Sequence, residues 1–450
     1  MALSGAGAVA SLCPNSVFLI TGTIQFNAIN QEISTQGYPT DNTRAVIRVM
    51  SSSAATAING SGWSGIRIKN IVVDGNRPQL GWLKGGGALI EVGGPAASAQ
   101  IVDHIQAFEP LGWSTIHISE GNLDCTGAQI TNNQVGPSGQ PQPSGNWADG
   151  ISLACTNSVV MSNVVTDATD GGIVVFQAPG STISGNTIQT INRTMFGAIN
   201  MVDYTPYSGN YTGTVVAGNI ISANSGFIKI GIGMGPTTWG ITASGSNYGG
   251  TVTSNTITGT NIGYGLVANG LTNFTVQGND FSTMVPGGIL TKKCVEAENF
   301  ALPAAFVVNE WTSSGSFQSH QDDAANTAIC IAPQYSYGRG QFNVVSGINT
   351  PMGSLISVNF QTDGNLVIYD PNNNPLWASN TAGQSCGQQN CTAVFQSDGN
   401  FVLYNNGKPY WATNTADSEA TDNGKAAYLR FSNSYPYLEV VNGAGGDVFY

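Results

Sequence analysis

ITNNQV (130–135), VMSNVV (160–165), ISGNTI (183–188), VAGNII (216–221), VTSNTI (252–257) and VQGNDF (276–281) are one phrase written six times: apolar, two residues, Asn, apolar. The asparagines are Asn133, Asn163, Asn186, Asn219, Asn255 and Asn279, at spacings of 30, 23, 33, 36 and 24 residues. A second phrase alternates with the first, as ALIEV (88–92), TIHIS (115–119), GISLA (150–154), GIVVF (172–176), AINMV (198–202) and FIKIG (227–231). Each is a short strand with an apolar residue at every second position. Two strand types recurring at this period, with no helical periodicity between them, describe coils that bury their apolar faces only by stacking. The expected fold is all-β, a right-handed parallel β-helix over residues 1–335 with its own C-terminal cap. The recurrent Asn is expected at the left-handed bend between two sheets, its amide bonding to the Asn of the next coil. His104, in IVDHIQ, falls at the same ladder position.

Composition agrees with this reading. The 450 residues include 58 Gly and only 9% charged residues, and mean hydropathy is near zero. Long surface helices need more Ala, Glu, Lys and Leu. No apolar run reaches the roughly 18–20 residues of a membrane span. Net charge is −12, from 14 basic and 26 acidic residues, which argues against a nucleic-acid partner. A neutral glycan suits this surface better than a polyuronate. The opening MALSGAGAVA has no basic flank and is too short for a signal peptide, so the numbering is expected to begin inside a longer precursor. The five sequons at Asn59, Asn192, Asn210, Asn273 and Asn390 favour a secreted glycoprotein. Cys386 and Cys391 bracket a short turn and are expected to be bonded, Cys294 with Cys330 and Cys125 with Cys155 are further pairs, and Cys13 is left over.

The phrases WADGIS and DATDGGIVVF make residues 15–335 resemble the pectin-lyase-like β-helix proteins of secreted fungal carbohydrate enzymes. That likeness implies fold rather than reaction, since such coils carry hydrolases, lyases, epimerases and inert binders. A second repeat begins near 355, where FQTDGNLVIYDPNNNPLWASNT is followed by FQSDGNFVLYNNGKPYWATNT at an offset of 35. Gln361, Asp363, Asn365, Val367 and Tyr369 recur as Gln396, Asp398, Asn400, Val402 and Tyr404. Residues 353–450 thereby resemble the bulb-type mannose-binding lectins, after a linker at 336–352. The resemblance implies a β-prism of three four-stranded sheets, with Asp and Asn on mannose O2, Gln on O3, Tyr on O4, and the sugar lying over Val. A row of polar side chains at every second strand position permits that assignment. The third copy, YLRFSNSYPYLEVVN, lacks Gln, Asp and Asn, so two competent pockets are expected at most.

Aligning the second phrase puts Glu91, His117, Ser152, Val174, Asn200 and Lys229 on one outward rail. Asp149 and Asp170 precede their strands on neighbouring coils, with Asp203 on the next, and coil stacking at about 4.8 Å makes the first two neighbours. Paired carboxylates are what general-acid and general-base work on a glycosidic bond requires. Asp149, Asp170, Asp203, His117 and Glu91 are therefore the candidate catalytic set. Trp147, Trp113 and Tyr204 are candidate sugar platforms, with Asn200 and Lys229 as further substrate contacts. No cofactor or metal enters this reading. The functions in view are a secreted glycoside hydrolase with a mannose-binding module, a non-catalytic glycan-binding lectin on a β-helix scaffold, and a polysaccharide lyase. The expected partners are polysaccharides or glycoprotein glycans containing mannose.

Overall fold

The computed structural model describes residues 4–140, 145–202, 208–223, 226–239, 246–290, 303–322, 331–332, 334–352, 356–416, 426–433, 437–442 and 447–449. They form two compact units. The first takes in 1–286 and 297–329, the second 287–296 and 330–450. No helix among the described residues is long and apolar enough to cross a membrane.

The first unit is a parallel β-helix. One eleven-stranded parallel sheet runs from Val9–Leu12 to Gly315–Phe317. A twenty-stranded sheet carries the other two strand columns, which meet in the long strand Thr256–Ala268. Register explains the core. Ile33, Ile68, Val102, Ile130, Val160, Ile183, Val216, Val252 and Val276 are successive Cα partners in the first sheet, at most 2% exposed. A second column stacks Ile58, Ile90, Ile116, Ile151, Ile173, Ile199, Ile232 and Leu266. Equivalent letters of successive coils thus lie side by side.

The six phrase asparagines form a buried ladder. Asn163 Oδ1 accepts from the Asn133 backbone N–H at 3.0 Å and from its Nδ2 at 2.9 Å. Asn163 Nδ2 donates back to the Ile130 carbonyl at 2.8 Å, and to Asn186 Oδ1 at 2.9 Å. The pattern repeats through Asn186, Asn219, Asn255 and Asn279, where Gln318 Oε1 takes the place of a further Asn. The left-handed bend, however, belongs to the residue before each Asn: Asn132, Ser162, Gly185, Gly218, Ser254 and Gly278 all have positive φ. None of the six ladder asparagines has positive φ itself, so the predecessor makes the turn. His104 likewise occupies the bend, with φ 54°, and it is Ile105 whose N–H meets Asn133 Oδ1.

Two other expectations change. Phe306–Val308, Gly315–Phe317 and Gln321–Asp322 extend the coil's own sheets, so these residues are a further winding rather than a cap. Residues 336–352 are strand rather than linker. Gln334–Gly338, Phe342–Val345 and Ile348–Met352 each open one of the three four-stranded antiparallel sheets of the second unit. Strands joined by tight turns within one short stretch, 334–352, leave no local sequence sign that each serves a different sheet. Cys125–Cys155 and Cys386–Cys391 are disulfides, the first across adjacent coils where Thr126 bridges Thr156. Cys13 is exposed and unpaired, and Cys294 and Cys330 lie outside the described residues.

Candidate functional site

The rail exists, with one change. Glu91, His117, Ser152, Val174 and Asn200 are Cα partners in consecutive strands, but the next partner is Gly233 rather than Lys229. The strand Phe227–Met234 alternates over eight residues, so a slip of four keeps every side chain on its face, and periodicity alone does not choose the register. Lys229 instead lies 4.7 Å from the Phe196 ring centroid, and burial pushes its ammonium down to about 8.

Asp149 and Asp170 come together on adjacent coils, at the edge of the rail. Asp149 is 5% exposed; its Oδ1 accepts from the Gly171 N–H at 2.9 Å and its Oδ2 from the Ser152 hydroxyl at 2.8 Å. Ser152 also exchanges a hydrogen bond with Ser114, at 2.8 Å. Asp170 is half-buried, and its carboxyl has no hydrogen-bond partner among the described residues. Burial, followed by the Asp170 charge, holds the Asp149 carboxyl well above the usual range, against the pull of its two hydrogen bonds. Burial pushes Asp170 up to about 6. The pair resists double ionisation and so keeps a proton towards neutral pH.

Gly171 packs closely under the pair: a Cβ there would collide with Val174 Cγ2 and stand 3.1 Å from Asn200 Nδ2 and 3.2 Å from Asp149 Oδ1. Asn200 is steadied by Trp239, whose Nε1 donates to Asn200 Oδ1 at 3.2 Å. Trp147 packs on Phe196 with ring centroids 4.6 Å apart, and Phe196 stacks with Trp239 at 6.0 Å. Trp147 Nε1 is buried without a hydrogen-bond partner among the described residues. The loop that delivers Trp147 is pinned by ions: Arg77 and Arg193 share Glu109, at 2.7 and 2.6 Å, and both donate to the Gly139 carbonyl. Phe196, Trp239 and Ser114 carried no signal in the sequence, since each is an ordinary strand or turn residue until the coils stack.

Glu91 and His117 form a separate dyad, with His117 Nδ1 at 2.9 and 3.1 Å from the two Glu91 oxygens. Trp113, 36% exposed, meets the His117 ring edge-on at 4.8 Å. Asp167 receives three backbone N–H groups, from Ile191, Asn192 and Arg193, and so caps a turn. Asp203 and Tyr204 lie outside the described residues. Among the sequon asparagines, Asn192, Asn273 and Asn390 are exposed, whereas Asn59 and Asn210 are half-buried.

In the second unit the two repeats build the same pocket twice. Gln361 Nε2 donates to the Tyr369 hydroxyl at 2.9 Å, and Gln396 to Tyr404 at 2.6 Å. Asp363 Oδ1 accepts from the Asn365 N–H, and Asp398 Oδ1 from the Asn400 N–H, both at 3.0 Å. Each Asn Oδ1 is held by the trailing motif: Ser379 and Thr381 for Asn365, Thr413 and Thr415 for Asn400. The remaining groups are the same in both: one Asp oxygen, Gln Oε1, Asn Nδ2 and the Tyr O–H. Val367 and Val402 are each 3% exposed beneath them. In the third sheet Glu439 stands at the Val position, 4.0 Å from Arg430, and Val441 at the Tyr position.

These features define a parallel β-helix protein with a three-sheeted, lectin-like second unit. Residues 114–299 match the family model described as a right-handed β-helix region, which gives the coil its hand. Seventy-nine residues are 50% identical to a mannose-specific lectin of Galanthus nivalis, covering 18% of this chain and 46% of that protein. A mannose-specific lectin of Aloe arborescens is 45% identical over 56 residues, covering 12% and 48%. The chain spans about half the length of these curated relatives. Among solved structures, the A-module of an Azotobacter vinelandii mannuronan C-5 epimerase aligns with 70% of this chain and 91% of its own, at 11% identity and a TM-score of 0.42.

Proposed function

We propose that this is a secreted glycan-directed protein whose second unit binds mannose in two pockets and whose β-helix hydrolyses a neutral glycan. The observation that carries the reading is the duplication of an identical set of open groups. Each pocket offers two acceptors (Asp and Gln oxygens) and two donors (Asn Nδ2 and Tyr O–H) around an apolar Val. Sugar hydroxyls both donate and accept, so vicinal hydroxyls of a hexose with an axial O2 match this set. The 50% identity to a mannose-specific lectin supports mannose as that hexose. Single shallow pockets bind weakly, so two on one chain favour ligands with several mannose termini.

The β-helix assignment is supported by the coupled acids. Asp170, raised only to about 6 and so the first of the pair to ionise, suits the carboxylate that activates water or attacks the sugar. Asp149, held well above the usual range by burial and the Asp170 charge, suits the acid that protonates the leaving oxygen. Trp147, half-buried and backed by Phe196, supplies an apolar face for a sugar ring.

Calorimetric titration with methyl α-mannoside should give two sites in the wild type, one in Asn365→Ala or Asn400→Ala, and none in the double variant. A reducing-sugar screen over neutral polymers should detect product with wild type but not with Asp149→Asn. Mannose binding without release of sugar from any neutral polymer would refute the hydrolase half and leave the scaffold reading.

A further inference from the structure

The two mannose pockets have the same pocket residues but different backing. In the first, the Gly364–Asn365 peptide is clamped at both ends. Its N–H is held by Asp363 Oδ1 at 3.0 Å. Its carbonyl accepts two hydroxyls, Thr381 Oγ1 at 2.7 Å and Tyr410 Oη at 2.8 Å. Tyr410 is not part of the first sheet: it comes from Lys408–Ala412, the last strand of the second. In the other pocket the Gly399–Asn400 peptide has its N–H on Asp398 Oδ1 at 3.0 Å and its carbonyl on Thr415 Oγ1 at 2.6 Å.

Register shows why, among the described residues, the second clamp has one hydroxyl fewer. Trp377, Trp411 and Phe449 are equivalent, each opposite the same position of its own sheet: Ile368, Leu403 and Val440. The residues before them are therefore equivalent too: Leu376, Tyr410 and Val448. Tyr410 thus reaches the first pocket from the second sheet, while the residue at the equivalent register of the third sheet is a valine, with no hydroxyl to offer.

We infer that Tyr410 makes the two pockets unequal, so that the one built on Gln361, Asp363, Asn365 and Tyr369 binds mannosides more tightly. This rests on the mannose reading above. A peptide is planar, so fixing its carbonyl fixes its N–H, and here that N–H orients Asp363 while the next side chain is Asn365 itself. Both groups that would hold the axial hydroxyl are thus set by one plane, and a site held in its bound geometry loses less freedom on binding. The phenol remains a donor at any working pH, because burial and the nearby Asp363 charge push it up to about 12. Tyr410 acts through the peptide, as a positioning residue rather than a sugar contact.

The test uses the full chain with one pocket disabled at a time. In an Asn400→Ala background, where only the first pocket remains, Tyr410→Phe should weaken methyl α-mannoside binding about fivefold, the worth of one net hydrogen bond. In an Asn365→Ala background the same change should leave binding by the second pocket unaltered, which a general loss of fold would not. Equal weakening of both pockets, or no change in either, would overturn the inference. If the Asn365→Ala/Asn400→Ala double variant still binds mannoside, it is the pocket assignment that fails and not the role of Tyr410.

Discussion

Replacing Asp170 with Asn should make the β-helix more stable at neutral pH while abolishing any hydrolysis. The folded protein holds this carboxyl at about 6, against an ordinary value near 3.8. Between those values the folded chain keeps a proton that the unfolded chain has released. Stability from this group is therefore fully present below about pH 4 and falls as pH rises through 6. At 1.36 kcal/mol per unit, a shift of roughly two units corresponds to about 3 kcal/mol at most. Partial exposure of Asp170 reduces this to about 1–2 kcal/mol. Asn carries no charge, and the Asp170 side chain has no described hydrogen bond to lose. Asp149 would also ionise more easily once its neighbour's charge is gone. The assay is urea denaturation of wild type and variant at pH 4 and pH 7.5, followed by tryptophan fluorescence. The variant should gain at pH 7.5 and show little gain at pH 4. A variant no more stable at pH 7.5 than wild type would mean that the site does not disfavour the charge, and the roles given to the pair would lose their physical basis.

Asn186→Ala should cost about 4 kcal/mol or more in urea denaturation, because it strips partners from the buried Asn163, Asn219 and Val160 groups together. Arg77→Met should destabilise the coil by about 3–5 kcal/mol, leaving Glu109 with Arg193 alone, and limited proteolysis should then cut within residues 136–147. If hydrolysis uses Asp170 as the ionised carboxylate, the rate on a neutral polymer should rise as pH rises through about 6. Expression in a eukaryotic secretory host, read by peptide mass spectrometry, should show glycans at Asn192, Asn273 and Asn390 and little at the half-buried Asn59 and Asn210.

The sequence was informative wherever the same chemistry had to be repeated. A buried Asn is needed on each of six windings, so Asn133 through Asn279 announced the stack before any contact was known. Two copies of the Gln–Asp–Asn–Val–Tyr row likewise announced both pockets and the loss of the third. Alternation also put Glu91, His117, Ser152, Val174 and Asn200 on one face, and the turn acids Asp149 and Asp170 next to each other.

What alternation leaves open is which residue of the right parity pairs with its neighbour. Lys229 and Gly233 share a face, and only the packing of Ile232 on Ile199 selects the second. For the same reason periodicity locates a corner but not the residue whose backbone turns it, which lies one position before each Asn. The surroundings of Asp149 and Asp170 were invisible because Phe196, Trp239 and Ser114 come from other coils. Tyr410 belongs to another sheet, and the strands at 334–352 each serve a different sheet. Sequence determined the repeating unit, since burial and hydrogen bonding make the same demand on every winding. The tertiary structure alone decided the contacts between windings and sheets, since these depend on variable turn lengths and on side chains that meet only after stacking.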